Sequence, residues 1–201
     1  MPGYSTFYPA PGTPYALGGA AGGAAIFDIL PHQRFQFDPT HSHLLSELAV
    51  KFDKLNPGQK NRIKASLHRL AQAKGRYNAG DVCLDLGIAL EMVLLNTEHE
   101  NQELPGHLNL HFRLRGTWLI GKTSDERRSL YRTLGKIYAL RSKIAHNGFS
   151  NELDRMPYRE RREMLAEHIA VSVRILQHLI LSGTPHDWAS VILGDSTHLE
   201  A

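Results

Sequence analysis

Residues 81–96, DVCLDLGIALEMVLLN, constrain the fold more than any other segment. Apolar side chains occupy almost every side of a helix drawn through them. Such a helix is stable only when neighbours surround it, so it belongs at the centre of a bundle. The punctuation around it supplies those neighbours. Asp38-Pro39 reads as an N-cap with proline at the first helical position, opening a helix to about Leu55. Asn56-Pro57 repeats the device for a helix ending at Gly75, and Asn78 or Asp81 opens the central helix. A loop from about Thr97 to Pro105 leads to a shorter helix, GHLNLHFRLRGTWLI, that stops at Gly121. Thr123 and Glu126 form a capping box for a long helix ending at Asn147-Gly148. Pro157 starts another that runs to Gly183, and a last short helix at 186–193 returns Trp188 to the body. Only HLNLHFRLRG alternates in the manner of a strand. The expected fold class is all-α.

Residues 1–36 form a different segment, rich in Pro, Gly and Ala and nearly without charge. That composition does not repay the entropy of ordering, so the segment is expected to be a flexible arm ahead of a helical domain at 37–201. Tyr4, Phe7, Tyr8 and Tyr15 are its possible anchors, on a partner or on its own domain. The net charge of +3 permits a polyanion partner without requiring one. Cys83 is the only cysteine, which rules out an intrachain disulfide and a cysteine-rich zinc site and reads as a small core hydrophobe. No secretory signal is visible, and no unbroken apolar run approaches the ~20 residues of a membrane helix. A cytoplasmic protein with no membrane partner is expected.

In LYRTLGKIYALRSKIAHNGFS, residues 130–150, the residues Leu130, Leu134, Ile137 and Ile144 recur at helical spacing. Arg141 falls on the same line. A lone buried guanidinium costs several kcal/mol, so Arg141 needs a partner or a wet groove. The central helix repeats the pattern: its line Leu84, Ile88, Leu95 is interrupted by Glu91. An ion pair between the two is expected, either as a structural clamp on helix register or as part of a site. His146 lies five residues beyond Arg141, about 140° round a regular helix. Either the last turn unwinds to let the imidazole swing, or the two groups flank a groove closed by a second subunit. A plain favourable charge at the helix C-terminus is the other reading of His146.

The pattern IYALRSKIAHNG, an arginine followed after four residues by a histidine near a helix end, resembles the R-x(4–6)-H motif of the HEPN superfamily. It is most similar to the Apea-like HEPN branch, whose members read close to LY-x-LRSKI-x-HG. LDLGIALEMVLL, LHFRLRGTWLIG and SDERRSLYRTL extend the resemblance, as does a final helix with DW near its end, so that it covers about residues 78–195 and the two helices before them, making 37–201 an Apea-like HEPN domain by resemblance. The resemblance implies a HEPN-type bundle with a long central helix pair, often dimeric through the motif face. It also implies a metal-independent endoribonuclease, without cofactor, that leaves 2′,3′-cyclic phosphate ends. A toxin or antiphage-defence role goes with that activity, and with it an antitoxin or defence partner.

Carried over residue by residue, Arg141 would neutralise the scissile phosphate, which suits its fork of donors. His146 would serve as general base on the ribose 2′-hydroxyl or as general acid to the leaving 5′-oxygen. Glu91 would orient Arg141, with Ser142 and Asn147 as supporting positions. Ser142 replaces the Asn, Asp or His that many active members carry after the arginine, and Asn147 replaces a glycine. Some HEPN domains are catalytically inactive modules for RNA or protein binding and dimerisation, so that class is the alternative; a structural domain cut from a larger protein is a third. Arg113, Arg115 and Lys143 are expected to contact RNA, the first two clustering with Arg127 and Arg128, although a solvated face reads the same way. His107 and His111, four apart, and His41-x-His43 are the only metal-like spacings, and neither has a third ligand in view.

Overall fold

The computed structural model describes residues 39–95, 107–185 and 187–193 of the 201. The chain divides into two units, 1–42 and 43–201. The arm and its four aromatics, the cap expected at Asp38 and the loop expected at 97–105 lie outside the described residues. Within them 86% are helical and none is in a strand. HLNLHFRLRG is therefore part of a helix, and the all-α expectation stands.

Eight helices are described: α1 (Pro39–Lys54), α2 (Pro57–Gly75), α3 (Ala79–Leu94), α4 (Leu108–Ile120), α5 (Ser124–Asn147), α6 (Asn151–Arg155), α7 (Tyr158–Ser182) and α8 (Trp188–Leu193). Their starts follow the caps. The Asn56 side chain accepts from the Gln59 N–H at 2.8 Å, and Asn78 Oδ1 accepts from Gly80 and Asp81. Thr123 accepts from the Glu126 N–H, but the Glu126 carboxylate turns to the Lys122 N–H rather than closing the box on Thr123. At α8 the cap is Asp187, which accepts from Ala189 and Ser190. Helix α6 has no counterpart in the sequence reading. It is a single turn, capped by the Ser150 hydroxyl and anchored by the buried Leu153.

Helix α3 is the centre. It packs most extensively on α2 and α5, and also on α4 and α7. The two longest helices, α5 and α7, each lie on α3 and meet each other only slightly. Leu86, Leu90 and Leu94 of α3 meet Phe112, Leu134, Ile137, Ile175, Leu176 and Leu179 in one core, and each of these side chains is at most 1% exposed. A second, smaller core of Cys83, Leu140, Ile144 and Leu153 sits beneath the end of α5 and joins it to α3 and α6. Burial there pushes the Cys83 thiol up to about 12, so it packs as a hydrophobe.

Polar clips fix the register of α2 on α3. Ser66 donates to the Ala89 carbonyl at 2.7 Å. The buried Asp85 carboxylate takes Arg69 on one oxygen and Arg76 on the other, each at 3.0 Å. Helix α7 is long and apolar enough by length and composition to cross a membrane, although Glu167 and Arg174 interrupt it so that it is not an unbroken apolar run. Its line of Val171, Ile175, Leu176, Leu179 and Ile180 is buried in the bundle.

Candidate functional site

The motif helix α5 stays regular to its end. Gly148 closes it in the left-handed conformation, φ 76°, and donates its N–H to the Ile144 carbonyl at 2.8 Å. Glycine fits there because a Cβ disfavours positive φ. The last turn does not unwind before His146, so the imidazole stays about 140° round from Arg141, exposed to solvent.

Arg141 enters where α5 meets α3 most closely. A Cβ placed on Gly87 would lie 2.4 Å from both Cβ and Cγ of Arg141, so glycine at 87 is what lets the arginine stem pass across α3. One turn further on, Arg141 Nη2 donates to Glu91 Oε2 at 2.6 Å. The expected ion pair is present, but it does not lie in dry core: the two side chains are 27% and 19% exposed. Burial still raises the Glu91 pKa above the ordinary carboxylate range, and Arg141 opposes that shift without cancelling it.

The line Leu84, Ile88, Glu91, Leu95 corrects the sequence reading. It is the half-exposed side of α3, not its core face. The residues that α3 buries are Val82, Cys83, Asp85, Leu86, Gly87, Ala89, Leu90, Val93 and Leu94. Arg141 therefore lies beside an open strip of the central helix. Ser142 is half-buried, and Asn147 is exposed at the end of α5. Lys143 is exposed and pairs with Glu152 of α6 at 2.9 Å, which ties the short helix to the motif turn.

The proposed RNA contacts separate. Arg115 is 1% exposed; Nη1 donates to the Leu94 carbonyl at 2.8 Å, and its guanidinium carbon lies 5.2 Å from the Trp188 ring centroid. It is a core arginine that joins α4 to α3 and α8, and it does not face a phosphate backbone. Arg113 is half-buried, stacked on Tyr131 at 3.7 Å with Nε donating to the Tyr131 carbonyl. Arg127 stacks on Trp118 and donates to the Gly121 carbonyl. Arg128 sits 3.9 Å from Asp125 on an exposed turn. The four do not form one basic patch.

His43 and His107 are exposed and His111 is half-buried. Among the described residues no group of three or more His, Cys, Asp or Glu side chains is placed to hold a metal ion. The sequence reading passed over His168, a histidine 1% exposed on α7 whose two ring nitrogens have no hydrogen-bonding partner among the described residues. Its place on the buried line with Val171 and Ile175 was visible in the helical spacing.

The fold and site define an all-α bundle carrying a clamped, partly exposed arginine and an exposed histidine at the end of one helix. No protein-family model, curated protein or solved structure matches the chain.

Proposed function

We propose that this chain is a HEPN-type endoribonuclease that works without metal, with Arg141 on the scissile phosphate and His146 as the proton-transfer group. The observation that carries the reading is Arg141: Gly87 admits its stem, Glu91 holds its head at 2.6 Å, and a quarter of the side chain still meets solvent. A purely structural ion pair has no need of that opening, whereas a phosphate does. In the reaction His146 takes the proton of the 2′-hydroxyl, whose oxygen attacks the adjacent phosphorus; the P–O5′ bond breaks, the leaving 5′-oxygen takes a proton from water, and His146 returns its proton to solvent. The products are a 2′,3′-cyclic phosphate and a 5′-hydroxyl. Since α5 is regular through His146, the two groups of one chain do not converge, and a homodimer across the motif face brings one copy's arginine to the other's histidine. A toxin or antiphage-defence role follows from the same resemblance, with an antitoxin or defence partner as its control.

A second reading, a catalytically inactive RNA- or protein-binding module, is favoured by Glu91 already engaging the guanidinium and by Ser142 after the arginine. Incubation of purified protein with single-stranded RNA in EDTA separates the two. The ribonuclease cuts to 2′,3′-cyclic ends, and both Arg141→Ala and His146→Ala stop it. Cleavage that vanishes in EDTA and returns with magnesium, or that survives both substitutions, overturns the proposal.

A further inference from the structure

The charge of this chain is unevenly placed. Residues 54–80, which contain all of α2, hold seven of its 23 Lys and Arg and none of its 20 Asp and Glu. Without that segment the net charge would turn from +3 to −4. Helix α2 buries Ile63, Ser66, Leu70 and Ala73 against the bundle, so its other side, with Asn61, Lys64 and His68, faces outward. Lys60, Lys64, His68 and Gln72 follow one another at four-residue steps, about 6 Å apart along the axis.

Stability accounts for only part of this arrangement. Lys60 and Lys64 are a like-charge pair at i, i+4, which weakens a helix, and α2 supplies no carboxylate to offset it. Their tethers are uncharged: Lys60 Nζ donates to the Asp53 carbonyl at 2.7 Å, and Lys64 Nζ lies 5.9 Å from the Phe52 ring centroid. Both ammonium groups are thus positioned without being neutralised. The buried Asp85 engages Arg69 and Arg76 on the inner side. A shallow groove of about 430 Å³ opens on the outer side, lined by Lys64, Ala65, His68, Arg69, Gln72 and Met92. Met92 of α3 closes the groove against α2.

We propose that the outer face of α2 binds the phosphate backbone of a single-stranded nucleic acid, with Lys60 and Lys64 as charge contacts and His68 and Gln72 as hydrogen-bonding ones. The cations read no base edges, and the Gln72 carbonyl already accepts from Arg69 Nη1 at 3.4 Å, so the binding is expected to be independent of sequence. It shares a polyanion ligand with the ribonuclease reading but needs none of its chemistry.

The test uses a fluorescently labelled 2′-O-methyl RNA, which lacks the attacking hydroxyl and cannot be cleaved by this route. Its binding therefore stands or falls separately from catalysis. Anisotropy titrations of the full chain over a range of salt should give a linear loss of log affinity with log salt. The double variant Lys60→Gln/Lys64→Gln should lower the slope by about 1.4 and the affinity about tenfold, at roughly 0.7 in slope per phosphate contact on single strands. Lys64→Glu, which changes the charge by the same two units, should weaken binding by a similar amount, and circular dichroism should show both variants folded, since these side chains are not core. Removing two cations elsewhere, with Arg159→Gln/Arg162→Gln at the exposed start of α7, should leave binding unchanged. Failure of wild type to bind, equal losses from the α7 variant, or binding to anionic lipid vesicles in place of the oligonucleotide would overturn the proposal.

Discussion

Acidification should destabilise this bundle through His168 well before the carboxylates titrate. The imidazole is 1% exposed, and burial holds its pKa down to about 4 from an ordinary 6.5, with Glu167 opposing the shift and Lys136 adding to it. The unfolded chain therefore binds this proton at higher pH than the folded one, and stability falls as pH falls from about 6.5 towards 4. With those two values the loss relative to neutral pH is about 2 kcal/mol at pH 5 and about 3 kcal/mol at pH 4. His178, half-buried with its pKa also lowered by burial, acts in the same direction. Glu91 acts oppositely, because its raised pKa makes the folded state the better proton binder as the carboxylate titrates. Both groups are common to wild type and a His168 variant, so the difference between the two proteins over pH 7 to 5 isolates His168. Urea unfolding at pH 7, 6 and 5 measures it, beside His168→Leu, which keeps an apolar volume and removes the proton site. The variant should lose most of the wild-type decline. An equal decline in both proteins, or a flat wild-type profile, would refute the assignment.

Two further outcomes follow from the crossing of α3 and α5. Gly87→Ala puts a methyl group 2.4 Å from the Arg141 stem, and overpacking of that kind costs about 1–3 kcal/mol, several degrees in a thermal melt; an unchanged melting temperature would mean that the helices are not in that contact. Glu91→Gln should cost about 1–2 kcal/mol by denaturant titration, between the values of exposed and buried pairs because both side chains are partly exposed. No loss at all would show that the pair contributes nothing to register.

Much of the helix order was legible because caps and breakers act locally. Asn56, Asn78, Thr123 and Gly148 each satisfy or end a helix with their own side chain or backbone, whatever the rest of the chain does. Orientation was less legible. Helix α3 is apolar on nearly every side, so its periodicity carries no phase, and only its neighbours decide that Leu84, Ile88 and Glu91 are half-exposed while Leu86 and Leu90 are buried. Arg113 and Arg115 look alike in HFRLRG, but a helix turns them about 200° apart, one onto Tyr131 and the other into the core beside Trp188. Gly87 was overlooked because a close helix approach is a property of two segments at once. The pairing of Arg141 with Glu91 was readable because both interrupt apolar lines with opposite charges.

Subunit mixing tests the central claim most directly. Arg141→Ala and His146→Ala proteins, each inactive alone, are combined and assayed on single-stranded RNA in EDTA. If a site takes its arginine from one copy and its histidine from the other, a mixed dimer of the two variants keeps one intact site. Random mixing of equal amounts then restores about a quarter of wild-type cleavage, because half the dimers are mixed and each holds one of two sites. No cleavage from the mixture, beside an active wild type, or full activity from a protein that light scattering shows to be monomeric, would contradict the shared site.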